Sequence, residues 1–267
     1  EPRHQREDVV VMKKNSPSEP EPVKTPQAPP AQQAAERIEA GSAMAPDFPL
    51  GIAIGTTNII VAQNNARSIR TLRQRNAFFT IPSSKIIRKS LAKEGVSFFE
   101  KNDLLYIFGS AAEEFATMHG AQIRKPFDHG LLNPHEDDSI DVIKAIINSL
   151  IKRAPRDNVP ICFSIPGEPL SKSVSTVFHE SVIKMHLQSL GYSPLPINEA
   201  LAIVLSELGD TNFTGIGISI GGGMCNVCFS YLSVPVIRDS IHKAGDYIDA
   251  MVGNAVGETA VKIRAMK

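Results

Sequence analysis

One sequence pattern occurs twice in the chain, and it constrains the fold more than any other feature. The segment Gly51-Ile-Ala-Ile-Gly-Thr-Thr-Asn-Ile-Ile-Val-Ala62 aligns with residues 217–228 at an offset of 166, with five identities in twelve positions. Each copy reads as a strand, a glycine-containing turn and a second strand. Glycine lacks a Cβ, so such a turn can approach a ligand closely and point several N–H groups at one anion. Two copies predict two related halves that share a cleft.

The composition is that of an ordinary globular protein. Of the 267 residues, 42% are hydrophobic, and 28 Lys and Arg residues balance 28 Asp and Glu residues. The zero net charge gives no support for nucleic-acid binding, so no nucleic-acid partner is expected. No apolar run approaches the roughly 18 residues of a membrane-spanning helix, so no transmembrane segment is expected either. The three cysteines favour a reducing compartment, and we expect a cytoplasmic location.

The pair Cys225-x-x-Cys228 is interpreted as two small hydrophobic residues rather than as a metal site. Side chains three residues apart on a strand face opposite sides. No second pair of Cys or His residues completes the four ligands that a structural zinc ion needs. No metal site is therefore predicted from side-chain spacing.

Residues 1–47 are predicted to be a disordered, proline-rich tail or linker. They contain eight of the 19 prolines and no aromatic residue, so they cannot bury enough apolar surface to offset the entropy of ordering. We interpret this tail as a tether, with a proline-rich docking site as the alternative. A short helix around residues 32–38 is also expected.

Helical spacing of apolar residues predicts helices in the remainder of the chain, with short strands between them. The predicted helices cover residues 110–118, 139–151, 171–190, 198–208 and 245–266. The basic stretch at 67–75 is expected to form a solvated face. Strands alternate with helices, and each half opens with an antiparallel hairpin. This order predicts an α/β fold with a mixed sheet and helices on its faces.

Five segments resemble the motifs of one superfamily, in their order and in their spacing. Gly51-Ile-Ala-Ile-Gly-Thr-Thr-Asn58 and Ser219-Ile-Gly-Gly-Gly-Met224 are similar to its two phosphate loops. Asn198-Glu-Ala-Leu-Ala-Ile203 resembles its connecting helix, and Ala244-Gly-Asp-Tyr-Ile-Asp249 its Ala-Gly-Asp segment. Arg124-Lys-Pro-Phe-Asp-His-Gly130 resembles the Arg-Pro-x-x-Asp-Gly stretch of bacterial actins. The chain thus resembles the actin, sugar-kinase and Hsp70 ATPase superfamily from residue 49 onward, and within it the bacterial actins of the MreB and MamK type.

The resemblance implies an actin-like, ribonuclease H-like fold, with a mixed sheet of the five-stranded type and flanking helices. It implies a first domain at residues 48–232 with a small inserted subdomain near 77–125. Residues 233–267 are then the start of a second domain, so that the second half of the fold is expected to be incomplete.

The resemblance also implies ATP or ADP as the ligand of the cleft. The residues that match the phosphate-binding positions are Gly55, Thr56, Thr57, Asn58, Gly221, Gly222, Gly223, Gly245 and Asp246. Glu199 matches the acidic residue that the connecting helix carries into the cleft, where it orients the attacking water. The alternative is a glutamate at a helix start that the helix dipole favours.

Three positions depart from the pattern of the superfamily. Ala53 and Ser219 stand where both phosphate loops have Asp, and Met224 stands where Thr is usual. Those acids hold the hydration shell of magnesium and the attacking water, and Mg²⁺ prefers carboxylate and water oxygens. Support for magnesium is therefore reduced. Losing a water-orienting carboxylate commonly costs on the order of 10²–10⁴ in rate, so little or no hydrolysis is expected.

Three functions are compatible with these residues. The first is an actin-like cytoskeletal or scaffold protein that binds ATP or ADP, hydrolyses it weakly or not at all, and self-associates into filaments or binds a scaffold partner. The second is a pseudo-ATPase interaction module that the tail tethers to a larger assembly. The third is the ATPase domain of an Hsp70-like chaperone, suggested by Thr56-Thr57 and Asn198-Glu199.

Overall fold

The computed structural model of the chain describes residues 43–44, 48–64, 68–120, 122–170 and 176–266. Most of the predicted tail and its helix at 32–38 lie outside these residues, as do the first five residues of the predicted helix at 171–190. Met44 is fully buried, and its N–H donates to the carbonyl oxygen of Leu150 at 2.9 Å. Packed structure therefore includes a residue upstream of Phe48, where the sequence places the first folded residue.

Strands and helices alternate along most of the described chain. The strands are β1 (Leu50–Ile54), β2 (Asn58–Asn64), β3 (Ile69–Arg75), β4 (Phe78–Pro82), β5 (Phe98–Lys101), β6 (Leu104–Phe108), β7 (Phe127–Asp128), β8 (Leu131–Leu132), β9 (Val159–Ile165), β10 (Glu168–Pro169), β11 (Tyr192–Asn198), β12 (Gly215–Ile220), β13 (Cys225–Tyr231) and β14 (Val234–Ile241). The helices are α1 (Lys85–Lys93), α2 (Ser110–Met118), α3 (Ser139–Leu150), α4 (Thr176–Ser189), α5 (Glu199–Glu207), α6 (Gly245–Val256) and α7 (Ala260–Ala265), with a 3₁₀ turn at Gly209–Thr211.

A mixed five-stranded sheet organises the first half, in the order β11-β9-β1-β2-β3. β1 pairs antiparallel with β2, and β2 pairs antiparallel with β3. On its other side β1 pairs parallel with β9, which pairs parallel with β11. The predicted mixed α/β architecture is thereby confirmed.

The main core lies between this sheet and helices α3 and α4. Alternate residues of β1 (Leu50, Ile52 and Ile54) are buried, as a strand with one face on a core requires. The predicted helix at 139–151 is confirmed and ends one residue earlier than expected. Its buried apolar residues are Val142, Ile143, Ile146, Ile147 and Leu150. Each such side chain contributes roughly 1.5–3 kcal/mol when fully buried, so this face fixes the helix on the sheet.

A smaller core lies in a three-stranded sheet of order β4-β6-β5 with helices α1 and α2. Its buried residues are Phe79, Ile81, Leu91, Leu105, Ile107, Ala112 and Ala116. This second cluster falls within the stretch at 77–125 that the sequence suggests as an inserted subdomain.

A four-stranded sheet of order β10-β14-β13-β12 follows α5. α5 packs closely on β12. No side chain fits between them at Gly217, since an added Cβ would collide with the carbonyl oxygen of Ala200. β13 pairs with β14, so the strands on either side of the predicted boundary at 232–233 share one sheet.

The single helix predicted at 245–266 is two helices. α6 ends at Val256 because Gly257 takes the left-handed conformation, with φ at +72°. α7 then begins after Thr259, whose side chain accepts a hydrogen bond from the N–H of Lys262. Neither these nor the other described helices are long and apolar enough to cross a membrane.

Candidate functional site

The two glycine turns of the sequence repeat have the same hydrogen bond. The N–H of Gly55 donates to the carbonyl oxygen of Asn58 at 3.0 Å, and the N–H of Gly221 donates to that of Met224 at 3.0 Å. Both donor and acceptor differ by 166 residues between the two turns, which is the offset of the repeat. The repeat is therefore present in the structure as well as in the sequence.

The turns lie against each other. A Cβ added to Gly222 would collide with Oγ1 of Thr57, and one added to Gly223 would lie 2.7 Å from Oγ1 of Thr56. The same Cβ on Gly223 would lie 2.5 Å from the backbone nitrogen of Gly130. Glycine is required at both positions because the opposite turn and the 124–130 segment occupy the space of a side chain. The cleft between the turns is closed in this structure.

Asn76 holds the first turn in place. It is 1% exposed, its N–H donates to the carbonyl oxygen of Thr57 at 3.0 Å, and its Nδ2 donates to that of Gly55 at 2.9 Å. The sequence analysis did not single out this residue, since one asparagine after a strand carries no motif. Its two bonds across the turn make it a positioning residue of the site.

The start of α6 holds the second turn. The N–H of Gly245 donates to the carbonyl oxygen of Gly221 at 3.0 Å. The N–H of Asp246 donates to the carbonyl oxygen of Gly222 at 2.7 Å. The structure thus gathers all nine predicted phosphate-binding residues in one place. The N–H groups of Gly55, Gly221, Gly245 and Asp246 are already used within it. The remaining candidates for holding an anion are therefore the N–H groups of Thr56, Thr57, Asn58, Gly222 and Gly223.

A cluster of charged side chains lies beside the second turn. Nζ of Lys125 lies 3.2 Å from Oδ2 of Asp246, and Arg264 of α7 donates to Oδ1 of the same carboxylate. Nε of Arg264 lies 3.4 Å from Oδ2 of the buried Asp249. The pair of Lys125 and Asp246 joins the segment that precedes β7 to the helix that follows β14. We call these four residues the Asp246 cluster.

Glu199, the candidate for orienting water, is the first residue of α5, and Asn198 caps the helix by accepting from the N–H of Leu201 at 3.0 Å. Oε1 of Glu199 accepts from Oγ of Ser219 at 2.7 Å, and Oε2 of Glu199 accepts from Nδ2 of Asn226 at 2.9 Å. Both carboxylate oxygens therefore have a donor from the second hairpin. An aspartate at position 219 would instead bring a second negative charge to within hydrogen-bond distance of Glu199.

The departures at Ala53 and Ser219 leave few oxygens for a cation. Ala53 is exposed on β1 on the side opposite the buried Leu50, Ile52 and Ile54, and it offers no oxygen from its side chain. In the described part of the chain, no group of three or more His, Cys, Asp or Glu side chains converges as metal ligands would. The residues present do not fit the magnesium site that the resemblance implies.

A comparison with known protein families identifies the family of this chain. A sequence model of volactin matches residues 48–267. The chain belongs to the volactin family. No curated protein sequence matches it.

Solved structures show which fold this chain is similar to. Crystal structures of MreB5 of Spiroplasma citri are similar to this chain, one bound to ADP (TM-score 0.52, 16% identity) and one bound to AMPPNP (TM-score 0.54, 15% identity). Each match covers 78% of this chain and 56% of the MreB5 chain. The chain spans little more than half the length of these structures. The resemblance to bacterial actins is thus supported at the level of the fold.

Proposed function

We propose that this volactin-family protein is an actin-like cytoskeletal or scaffold protein. It binds ATP or ADP between its two glycine turns and hydrolyses the nucleotide weakly or not at all. The nucleotide then acts as a conformational ligand that holds the two turns apart, rather than as a substrate. Nucleotide-bound MreB5 structures share the fold, which makes this cleft the place to look for a nucleotide.

The bonding of Glu199 is the observation that carries this proposal. A catalytic carboxylate must have an oxygen within reach of the proton it accepts. Both oxygens of Glu199 already accept hydrogen bonds, from Ser219 and Asn226. Asn226 is itself held, since its Oδ1 accepts from the N–H of Gly167 at 2.9 Å. Glu199 is thereby engaged in holding the second hairpin, and a water molecule would have to share its oxygens with these two donors, so binding is favoured over turnover.

The test is a titration of the full-length protein with fluorescent ATP, together with phosphate release under the same conditions. We expect saturable binding below millimolar ATP and phosphate release close to the buffer rate. The double variant A53D/S219D restores both acids and is expected to raise phosphate release in the presence of magnesium. Absence of binding below millimolar ATP would remove the nucleotide from the proposal.

A pseudo-ATPase interaction module is the second candidate, and the direct contact of the turns favours it. A Cβ added to Gly222 would collide with Oγ1 of Thr57, so the two turns leave no space for a side chain between them at this point. In this alternative the closed fold is a rigid platform for a partner. A stable hetero-complex that forms without nucleotide supports the module, and filaments seen by electron microscopy support the scaffold.

A bare apolar sheet face supports association of either kind. The face is formed by alternate residues of β12, β13 and β14: Ile216, Ile218, Ile220, Cys225, Val227, Phe229, Ile237, Asp239 and Ile241. Eight of these nine residues are apolar, and Ile216, Ile218 and Ile220 are 62%, 55% and 67% exposed. Contiguous exposed apolar surfaces of this kind mark interaction sites. We propose that a second copy of this chain buries this face.

A further inference from the structure

The proposed nucleotide site has a charge problem that its side chains must solve. A nucleoside di- or triphosphate carries several negative charges. Nucleotide-binding proteins commonly neutralise these charges with Mg²⁺ held by carboxylates. Here Ala53 and Ser219 stand where those carboxylates are expected, and the oxygens of Glu199 each accept a hydrogen bond, from Ser219 and from Asn226. Backbone N–H groups alone supply only partial charges. A cationic side chain is needed in place of the metal.

Lys125 is placed to supply that charge. It belongs to the 124–130 segment, whose residue Gly130 lies directly against Gly223. Its ammonium pairs with Asp246, whose N–H donates to the carbonyl oxygen of Gly222 and whose Oδ1 lies 3.7 Å from where a Cβ of Gly222 would be. The Lys125 side chain is 21% exposed, so it is largely shielded from solvent beside Asp246.

The neighbouring cation is committed elsewhere. Arg124 forms ion pairs with Glu136 and Asp138, and its guanidinium lies 4.5 Å from the centre of the Phe78 ring. These contacts hold the segment in place and leave Arg124 little freedom to turn towards the glycine turns. Lys125, with its long flexible side chain, does not have this restriction.

Asp246 can release Lys125 without becoming unpaired. Its other oxygen already accepts from Arg264, which also approaches Asp249. When the turns part, Lys125 can therefore exchange the carboxylate for a phosphate while Asp246 keeps a cationic partner. An isolated pair would lack this property, because a partly buried carboxylate would lose its partner.

Resting on the proposed nucleotide site, we infer that Lys125 takes the role of the divalent cation. In the closed state its ammonium pairs with Asp246, and in the bound state it neutralises a phosphate of the nucleotide. Nucleotide binding by this protein then requires no magnesium.

The test compares binding of fluorescent ATP with magnesium and with EDTA, using the full-length wild type, Lys125→Gln, Lys125→Arg and Lys89→Gln. Lys89 is an exposed lysine of α1 and serves as the matched control. The wild-type Kd is expected to change less than about threefold between the two buffers. Lys125→Gln is expected to weaken binding about tenfold or more in EDTA, as loss of a charge-assisted hydrogen bond predicts. Lys125→Arg retains most of the affinity, and Lys89→Gln retains all of it.

The outcomes separate this inference from the proposed function. Wild-type binding that depends on magnesium overturns the inference and leaves the nucleotide site standing. Binding in EDTA that Lys125→Gln does not weaken overturns it as well. Failure to bind with or without magnesium refutes the proposed site and the inference together. Circular dichroism and thermal unfolding of each variant show that a loss of affinity is not a loss of fold.

Discussion

Gly51 and Gly217 occupy equivalent positions in the repeat, but their surroundings differ. A Cβ added to Gly51 meets nothing within 4 Å, whereas one added to Gly217 collides with the backbone of Ala200 and lies 2.9 Å from a methyl group of Val204. Gly217→Ala is therefore expected to destabilise the protein by about 1–3 kcal/mol, since α5 must move away from β12. Gly51→Ala, the matched control, should be neutral or slightly stabilising. Urea unfolding measures both, and equal effects would contradict the close packing of α5 on β12.

A substitution at Ser219 tests the effect of a second carboxylate beside Glu199. Ser219→Asp places a carboxylate beside the Glu199 carboxylate, which now accepts from the serine hydroxyl at 2.7 Å. Like charges at this separation repel, so the variant should unfold at a lower temperature than the wild type. A divalent cation can bridge the two carboxylates, and magnesium should restore part of the loss. Ser219→Asn, which keeps a donor, should show neither effect in thermal unfolding with and without magnesium.

His179 makes the packing of α4 sensitive to acid. Its side chain is 1% exposed, its Nδ1 accepts from the N–H of Leu132 at 3.2 Å, and its ring meets that of Phe127 edge-on at 5.0 Å. Burial lowers the pKa of His179 from 6.5 to about 4. Between these values the unfolded chain binds the proton and the folded chain does not. The stabilisation is therefore fully present above about pH 6.5 and is lost as the pH falls towards 4.

The variant His179→Gln is expected to flatten this acid dependence. Glutamine can still accept from Leu132 but takes up no proton in this range. The slope of unfolding free energy between pH 6.5 and 4 should decrease, each pKa unit of the shift corresponding to about 1.4 kcal/mol. His135→Gln, at an exposed histidine, is the control and should leave the slope unchanged. An identical slope in both variants would exclude His179 as a source of the slope, since His186, whose pKa burial also lowers to about 4, is present in both.

At the level of elements, the sequence predicted those whose burial is periodic. The helices α2, α3 and α5 were predicted to within a residue of their observed ends, because their apolar residues recur at helical spacing or a cap marks the start. β3 was missed and taken for a solvated basic face, since it buries only Leu72 among its seven residues. α1 was missed for the same reason, since it buries only Leu91. Elements that cover a small core leave a weak periodic signal.

The closure of the site could not be predicted from the sequence. The repeat indicated two turns that share a cleft, but whether they touch depends on residues far apart in the chain, such as Thr57 and Gly222. The pair of Lys125 and Asp246 joins residues 121 positions apart. Both residues lie within family-like motifs, yet neither motif indicates that the two side chains meet. Asn76 carried no motif at all.

At the level of the whole molecule, the two halves of the repeat are completed differently. β1 has β2 on one side and a parallel partner, β9, on the other. β12, its equivalent in the repeat, has β13 on one side and lies at the edge of its sheet. An edge strand with an apolar face is a ready site for pairing with another segment or chain. The repeat thus indicates which side of β12 an additional strand would occupy and which face its helices would cover.

Ile218, at the centre of β12, tests whether the bare sheet face mediates association. Ile218→Lys places a charge on the face. We expect self-association of the protein, measured by sedimentation velocity, to weaken about tenfold or more, because the lysine must be desolvated at the interface. Ile69→Lys, at an exposed isoleucine of β3, is the control: Ile69 is 67% exposed and Ile218 is 55% exposed, so both variants replace surface residues. The physical difference is that Ile218 has apolar neighbours on both flanks of its strand and across the pair with Val227. Equal association of both variants would show that the face is not the interface.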